Sequence, residues 1–455
     1  MSIYQLQNPN ALHLLNLLHQ QHFEAYLVGG CVRDALLNRV IQDFDITTNA
    51  TTDELLAFGY THHLHFLTTG LKHGTISFFI NKEVIEVTSF RSDGVYQNHR
   101  HPQSITFTNS LQCDLKRRDF SINAICYDGE HIIDHVDGLY DLKKKCIRAI
   151  GNPHQRFKED ALRILRAIRF SFTLHFKIEK NTKKAICDLH SLVAYLSKER
   201  IQSEFNKILL SDEADMILKL IDVKVLYMII PNLKKYESVS QETPYHKYDV
   251  LHHVNACMNH SQNTSLDIKL ALLLHDIEKK TYKTLDTDGI AHFHGHAHAS
   301  AQEAKIILKQ LKYSNTIQRK VYTLIYFHDY YLTPSLKVIR KFLKTLKGNY
   351  QLAYDILLVQ RLDNMGKADT ITIEKNDIIE KVESIIHQCE INKEVFCLKD
   401  LSVNGTDMKI LGFKGKEIKN ILEYLLTYIL HQQDKNTKEH LLHIAGGRKD
   451  EIINR

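Results

Sequence analysis

The chain has 455 residues, 44% of them hydrophobic and 25% charged, the balance of a folded globular protein rather than of a disordered or fibrous one. At roughly 100–200 residues per domain it holds about three packing units, and a net charge of +6 with 28 histidines suits a polyanionic partner. The eight cysteines form no Cys-x-x-Cys pair and read as reduced thiols, the start lacks the basic and apolar regions of a signal peptide, and no apolar run approaches the ~18–20 residues that cross a bilayer. A cytoplasmic protein without a membrane partner is therefore expected.

Leu12, Leu15 and Leu18 fall near helical spacing and predict a short amphipathic helix over 8–22. Leu27-Val28-Gly29-Gly30-Cys31-Val32-Arg33-Asp34 then reads as a strand, a Gly-Gly turn and a helix start. Glycines there let backbone N–H groups approach a phosphate with no Cβ in the way. Asp43-Phe44-Asp45-Ile46 follows on a second strand. Residues i and i+2 of a strand share a face, so both carboxylates can hold one hard cation, and Mg²⁺ prefers one or two carboxylates plus substrate phosphates. The pattern points to phosphoryl or nucleotidyl transfer with one or two metals. An acidic surface turn is the bland alternative for Asp-x-Asp alone.

Short β-like runs at Ala25–Val28, Thr75–Ile80, Val84–Thr88 and Ser104–Thr108, separated by turn signals such as Asn81-Lys82 and Asp93-Gly94, predict an α+β head built on a sheet. Glu86 alternates with Ile85 and Val87 and can face the same cleft as Asp43 and Asp45; otherwise it is an exposed strand glutamate. In Lys116-Arg117-Arg118-Asp119-Phe120-Ser121-Ile122-Asn123-Ala124, the arginines offer planar forks for phosphate oxygens. Asp119 and Asn123 share a face if a helix begins there and can then reach a ribose hydroxyl.

After Pro153 strand signals vanish, and Arg156–Phe170 reads as one helix on which Asp160 and Arg163 share a face. As a surface ion pair they contribute under ~1 kcal/mol. Arg166 and Arg169 continue the helix, and Arg200 with Glu204 reads as a stabilising i,i+4 pair. His253, His275-Asp276, His296 and Asp329 have metal-ligand spacing, with Leu270–Leu274 as a buried helix delivering two adjacent ligands. Lys337, Arg340, Lys341, Lys344 and Lys347 form a basic helical stripe. Gly412-x-x-Gly415 opens a further helix.

Together these segments resemble the bacterial class II tRNA nucleotidyltransferases, the CCA-adding enzymes, and the related poly(A) polymerases. Thr69–Thr75, Glu86–Arg91 and the loop Asp93–Pro102 fit the same pattern, with Ser121 where threonine is usual and His99 and His101 in a loop usually richer in Asp and Arg. The resemblance implies an α+β chain: a polymerase-β-like mixed-sheet head (1–140), an all-α neck (141–230) joined at the hinge-like Asp137–Leu142, an HD-like helical body (231–347) and a helical tRNA-binding tail (348–455).

It further implies Asp43 and Asp45 as Mg²⁺ ligands with Glu86 in support, and Gly29, Gly30, Arg33 and Arg118 around the triphosphate. Asp119 and Asn123 face the ribose, Asp160 and Arg163 choose the base, Glu159 orients Arg163, and Arg166 and Arg169 lie beside them. ATP, CTP and tRNA are the implied partners. A second divalent metal is implied at His253, His275, Asp276 and Asp329, unless that fold only packs. Rival readings are a poly(A) polymerase, a partial CC- or A-adding enzyme, an HD-domain nucleotide phosphohydrolase and a non-catalytic tRNA-binding protein; the 93–102 loop favours full CCA addition.

Overall fold

The computed structural model of the protein describes residues 6–448 except 95, 98–100, 103–104, 238 and 243–246. The loop 93–102 and the strand expected from Ser104 lie partly outside these residues. The chain forms two compact units, residues 1–233 and 234–455.

The first unit is built on seven strands: β1 (Ala25–Val28), β2 (Phe44–Thr48), β3 (His65–Leu67), β4 (Thr75–Ile80), β5 (Glu83–Ser89), β6 (Ile125–Tyr127) and β7 (Ile132–Asp134). Their order is β7-β6-β1-β2-β5-β4-β3. β1 is central and apolar, and Leu27 pairs with Ile46 on one side and Tyr127 on the other. β2 runs parallel to β5 with Asp45 opposite Glu86. Period-2 alternation along β4 buries Ile76, Phe78 and Ile80.

Helix α1 (Pro9–Gln20) starts where the Asn8 side chain accepts from the backbone of Asn10 and Ala11, and it buries Leu14, Leu15 and Leu18. Leu12, expected on the inner face, is only half-buried. Helix α2 (Gly30–Leu36) leaves β1 through Gly29, whose φ of +85° only glycine adopts without strain. Helix α3 (Thr52–Thr61) carries a Thr51–Glu54 capping box. Helices α4 (Leu111–Lys116) and α5 (Gly138–Lys143) flank β6 and β7 in sequence.

The single helix expected over Arg156–Phe170 is two: α6 (Pro153–Glu159) and α7 (Leu162–Leu174). They part at Asp160, which is extended (φ −135°, ψ 106°). The cause is local: the Asp160 carboxylate accepts from the Leu162 amide and so caps the second helix instead of continuing the first. Helices α8 (Lys180–Leu189) and α9 (Lys198–Leu209) complete the unit, with α7 packed on α9. Two short ladders persist after Pro153, Lys177–Ile178 beside Cys146–Ile147 and Thr284–Leu285 beside Ala291–His292.

The second unit is helical. Leu266–Leu274 is buried at every position from Ile268 onward, so it delivers His275 and Asp276 into the core. The last helices, Lys416–His431 and Lys438–Gly447, close over Phe413, Ile421, Leu425 and Leu441. On Leu336–Thr345 the basic stripe is thinner than expected. Glu394 takes Arg340 through two bonds of 2.7 and 2.6 Å, and Lys337, Lys341, Lys344 and Lys347 stay exposed. Among the described residues no helix is long and apolar enough to cross a membrane.

Candidate active site

A cleft of about 560 Å³ in the first unit is lined by eight arginines and three aspartates, an excess of positive charge that suits a polyphosphate. One wall is the strand pair β2–β5. Asp45 is half-buried on β2, Asp43 is exposed one residue before the strand, and Glu86 is exposed directly opposite Asp45. Burial first, and then the charge of Glu86, pushes the Asp45 carboxyl up to about 6; Arg118 pulls it back and Asp43 adds to the rise. Three carboxylates gathered where their own repulsion raises a pKa form a donor set that fits a hard divalent cation. Asp43 opens on a neighbouring hollow that Asp45 and Arg33 also line.

The floor is glycine. A Cβ on Gly29 would stand 3.7 Å from Asp45 Oδ2 and 3.8 Å from Arg118 Nη1, so this backbone runs between the acid wall and the arginine wall. Arg33 donates to Asn123 Oδ1 at 2.7 Å and grips Asp34 through Nε and Nη2. Asp119 Oδ1 accepts from the Phe120 amide and Asn123, and its Oδ2 accepts from Arg166 at 2.7 Å. Burial opposes its ionisation, but Arg166 and then the Asn123 bond bring it down to about 2. Residues 121–123 make only a 3-10 turn, so Asp119 and Asn123 meet by a direct 3.1 Å bond rather than as neighbours on a helix face.

Asp160 and Arg163 both line the cleft but do not pair with each other. Asp160 accepts from Arg200 at 3.0 Å. Arg163 donates to Glu159 at 3.0 Å and to the Arg117 carbonyl at 3.0 Å, so Glu159 orients it as expected. The Arg200–Glu204 pair is corrected: Arg200 reaches Asp160, and Glu204 takes Arg169 at 2.5 Å, because α9 packs against the region of α6 and α7 and cross-helix partners lie nearer.

The sequence reading missed Asp114 and Phe170 and gave Arg200 the wrong partner. Asp114 is wholly buried and holds both Arg117 and Arg118, which also lower its pKa against the effect of burial. It also accepts from Thr47 of β2 at 3.1 Å. Its signal was its i,i+3 and i,i+4 spacing to the arginines. Arg200 and Phe170 left no local signal of their roles.

The second unit holds a buried cluster. His253, His275, His296 and His328 each place Nδ1 on a backbone carbonyl, of Gly366, Leu272, Phe293 and Ile325, at 3.0, 2.8, 2.7 and 2.7 Å. That fixes the tautomer and aims all four Nε2 atoms inward. His253 and His275 Nε2 lie 3.4 Å apart, His296 and His328 Nε2 3.2 Å apart, and Asp363 and Asp276 stand among them. Burial lowers the His275 pKa, but Asp276 and Asp363 outweigh it and lift it to about 10. His253, Cys257, His275 and Asp363 form one set of converging ligand atoms and His275, Asp276 and His328 another. Asp329, expected as a ligand, is exposed and outside both sets; Asp363, far along the chain on Tyr350–Met365, fills that part.

Residues 25–148 match the poly A polymerase head domain, 175–237 the RNA- and SrmB-binding site of polymerase A, and 284–445 tRNA nucleotidyltransferase domain 2. The chain is 48% identical over 194 residues to a CCA-adding enzyme of Enterococcus faecalis, covering 42% of this chain and 47% of that one. It is 48% identical over 199 residues to one of Lactobacillus johnsonii, covering 43% and 49%. The chain thus spans about half the length of the curated relatives it matches. Its fold is that of the Bacillus stearothermophilus CCA-adding enzyme solved in complex with CTP, with a TM-score of 0.70, 24% identity and 98% of both chains covered.

Proposed function

We propose that this chain, which belongs to the poly A polymerase and tRNA nucleotidyltransferase family, adds C, C and A to tRNA 3′ ends from CTP and ATP without a nucleic-acid template. One observation carries the reading. A single cleft joins Asp45, which has Glu86 opposite it and Asp43 on the adjoining hollow, to an arginine wall and to a carboxylate and a guanidinium that are held apart by separate partners.

In the reaction the primer 3′-hydroxyl oxygen bonds to the α-phosphorus of the incoming nucleotide, the bond to the bridging oxygen breaks, and pyrophosphate leaves. Arg33 and Arg118 bind the triphosphate, with the bare backbone of Gly29 and Gly30 close beneath it. Asp119, kept ionised by Arg166, and Asn123 accept from and donate to the ribose. Asp43 and Asp45 would hold Mg²⁺ with Glu86 nearby, and such ions lower the pKa of the attacking hydroxyl and neutralise the phosphates.

Cytosine and adenine both present an amine donor beside a ring-nitrogen acceptor. Asp160 accepts from the amine. Arg163, with three of its five N–H groups bonded to protein, donates to the ring nitrogen. Uracil and guanine set a carbonyl against Asp160 and leave groups unpaired at ~1–3 kcal/mol each. The basic helix 336–345 at the end of the HD-like body and the 405–447 region of the tail contact the tRNA in this reading, and the division into head, neck, HD-like body and tail is part of it.

The test is primer extension on tRNA transcripts lacking CCA, ending in C and ending in CC, each with CTP, ATP or both. Growth that stops at CCA supports the reading. Long A tails indicate a poly(A) polymerase, a halt at CC or extension from CC alone a partial enzyme. Asp43→Ala is expected to abolish addition with unchanged folding, and near-wild-type rates in that variant overturn the metal assignment.

We also infer a second metal centre, favoured by the four inward Nε2 atoms. The carboxylates that favour a positive charge on His275 favour a bound cation among the same converging Nε2 and carboxylate atoms. His253, His275, Asp276 and Asp363 would hold it, and imidazole with carboxylate suits a transition metal.

A further inference from the structure

Phe170 is 4% exposed and lies behind the arginine wall, edge-on to Phe120 at 5.8 Å between ring centroids. Three guanidinium groups stand over its ring: Arg169 at 3.9 Å from the centroid, Arg33 at 4.9 Å and Arg166 at 5.3 Å. Each arginine has an anionic partner at its edge: Glu204 for Arg169, Asp34 for Arg33, Asp119 for Arg166. Asp34 and Asn123 fix the fork of Arg33, but Arg166 and Arg169 each bond a single carboxylate oxygen, which leaves those forks free to swing about it. A face contact with a π-system fixes their planes, and the negative face of the ring offsets the repulsion of three gathered cations. Arg33 comes from α2, which starts at the glycines, whereas Arg166 and Arg169 come from α7, which carries Arg163. One ring therefore touches both the triphosphate wall and the base-selecting helix.

We propose that Phe170 is a positioning residue whose ring sets the planes of Arg166 and Arg169, backs Arg33, and couples the grip on the triphosphate to the choice of base. This rests on the nucleotidyl-transfer reading above. The competing account is packing alone, in which any apolar side chain of similar volume serves.

The experiment compares wild type with Phe170→Leu and Phe170→Met, which keep apolar bulk, and with Phe170→Tyr, which keeps the ring. CTP, ATP and UTP binding is titrated directly, KM and kcat are taken from single-nucleotide primer extension, and thermal melting tracks folding. The ringless variants are expected to raise KM for CTP and ATP by about tenfold, the size of one desolvated cation–π contact. Their preference for CTP over UTP should shrink alongside, with kcat within a few-fold of wild type, and Tyr should restore both values. If the branched Leu melts early, Met, of nearly equal volume but unbranched and able to fill an irregular gap, decides. Unchanged KM and base preference in the Met variant overturns the proposal, as does a Tyr variant as impaired as Leu. Wild type that binds neither CTP nor ATP overturns the functional reading as well, which separates the two failures.

Discussion

Replacing Asp45 by asparagine should make the first unit more stable while abolishing the proposed nucleotide addition. The Asp45 carboxyl is raised from 3.8 to about 6, by burial and then by Glu86. A group whose folded pKa is raised binds its proton more tightly folded than unfolded. Its cost is therefore fully present above pH 6 and fades as the pH falls towards 3.8. About two units at 1.36 kcal/mol each give about 3 kcal/mol, or roughly 5–10 °C of melting temperature in a unit of this size. The assay is melting of wild type and Asp45→Asn in EDTA at pH 8, 7, 6 and 5. The variant should melt higher at pH 8 and the difference should shrink to about half by pH 5. Added Mg²⁺ should narrow the gap at pH 8, because it binds only the wild-type acid set. A difference that does not vary with pH, or a variant that melts lower at pH 8, refutes the electrostatic argument.

Further outcomes follow from the same geometry. Asp160→Ala should relax base choice so that UTP is incorporated, and Arg200→Ala, which removes the clamp on Asp160, should raise UTP use by about tenfold, the worth of a charged hydrogen bond; unchanged UTP rejection in single-turnover extension counts against a side-chain template. Asp114→Asn should cost ~3–5 kcal/mol in urea unfolding, since it strips the buried acid from two arginines, and should raise KM for nucleotide as Arg118 loses its anchor. His275→Ala should lose bound transition metal, read by elemental analysis of the purified protein, while CCA addition persists; metal content equal to wild type sinks the second centre.

Much of the acid wall was legible because its signals are local. Asp43 and Asp45 are two apart, the glycines precede their helix directly, and the alternation around Glu86 put it beside Asp45 in the parallel β2–β5 register. Non-local pairing was not legible. Arg200 and Glu204 have ideal helix spacing, yet each bonds a residue 35 or 40 positions away, because closely packed helices offer partners that spacing rules do not see. Asp363 lies 110 residues from His253. Asp329 sat beside His328 in sequence, but consecutive residues at a helix end point in different directions, and only His328 turns inward.

The extended residue between α6 and α7 has a mechanical consequence. Asp160, the acceptor for the base in the proposed reading, stands on a joint, and Arg163, the proposed donor, stands on the rod beyond it. Turning two backbone torsions at the joint changes the span between them at the cost of the few terminal bonds that tie Asp160 to each rod, and leaves the rest of both rods whole. A continuous helix would have frozen that span at one value. A gauge with adjustable jaws can close on a pyrimidine and then on a purine, so one pair of side chains can serve two letters of the same three-letter word.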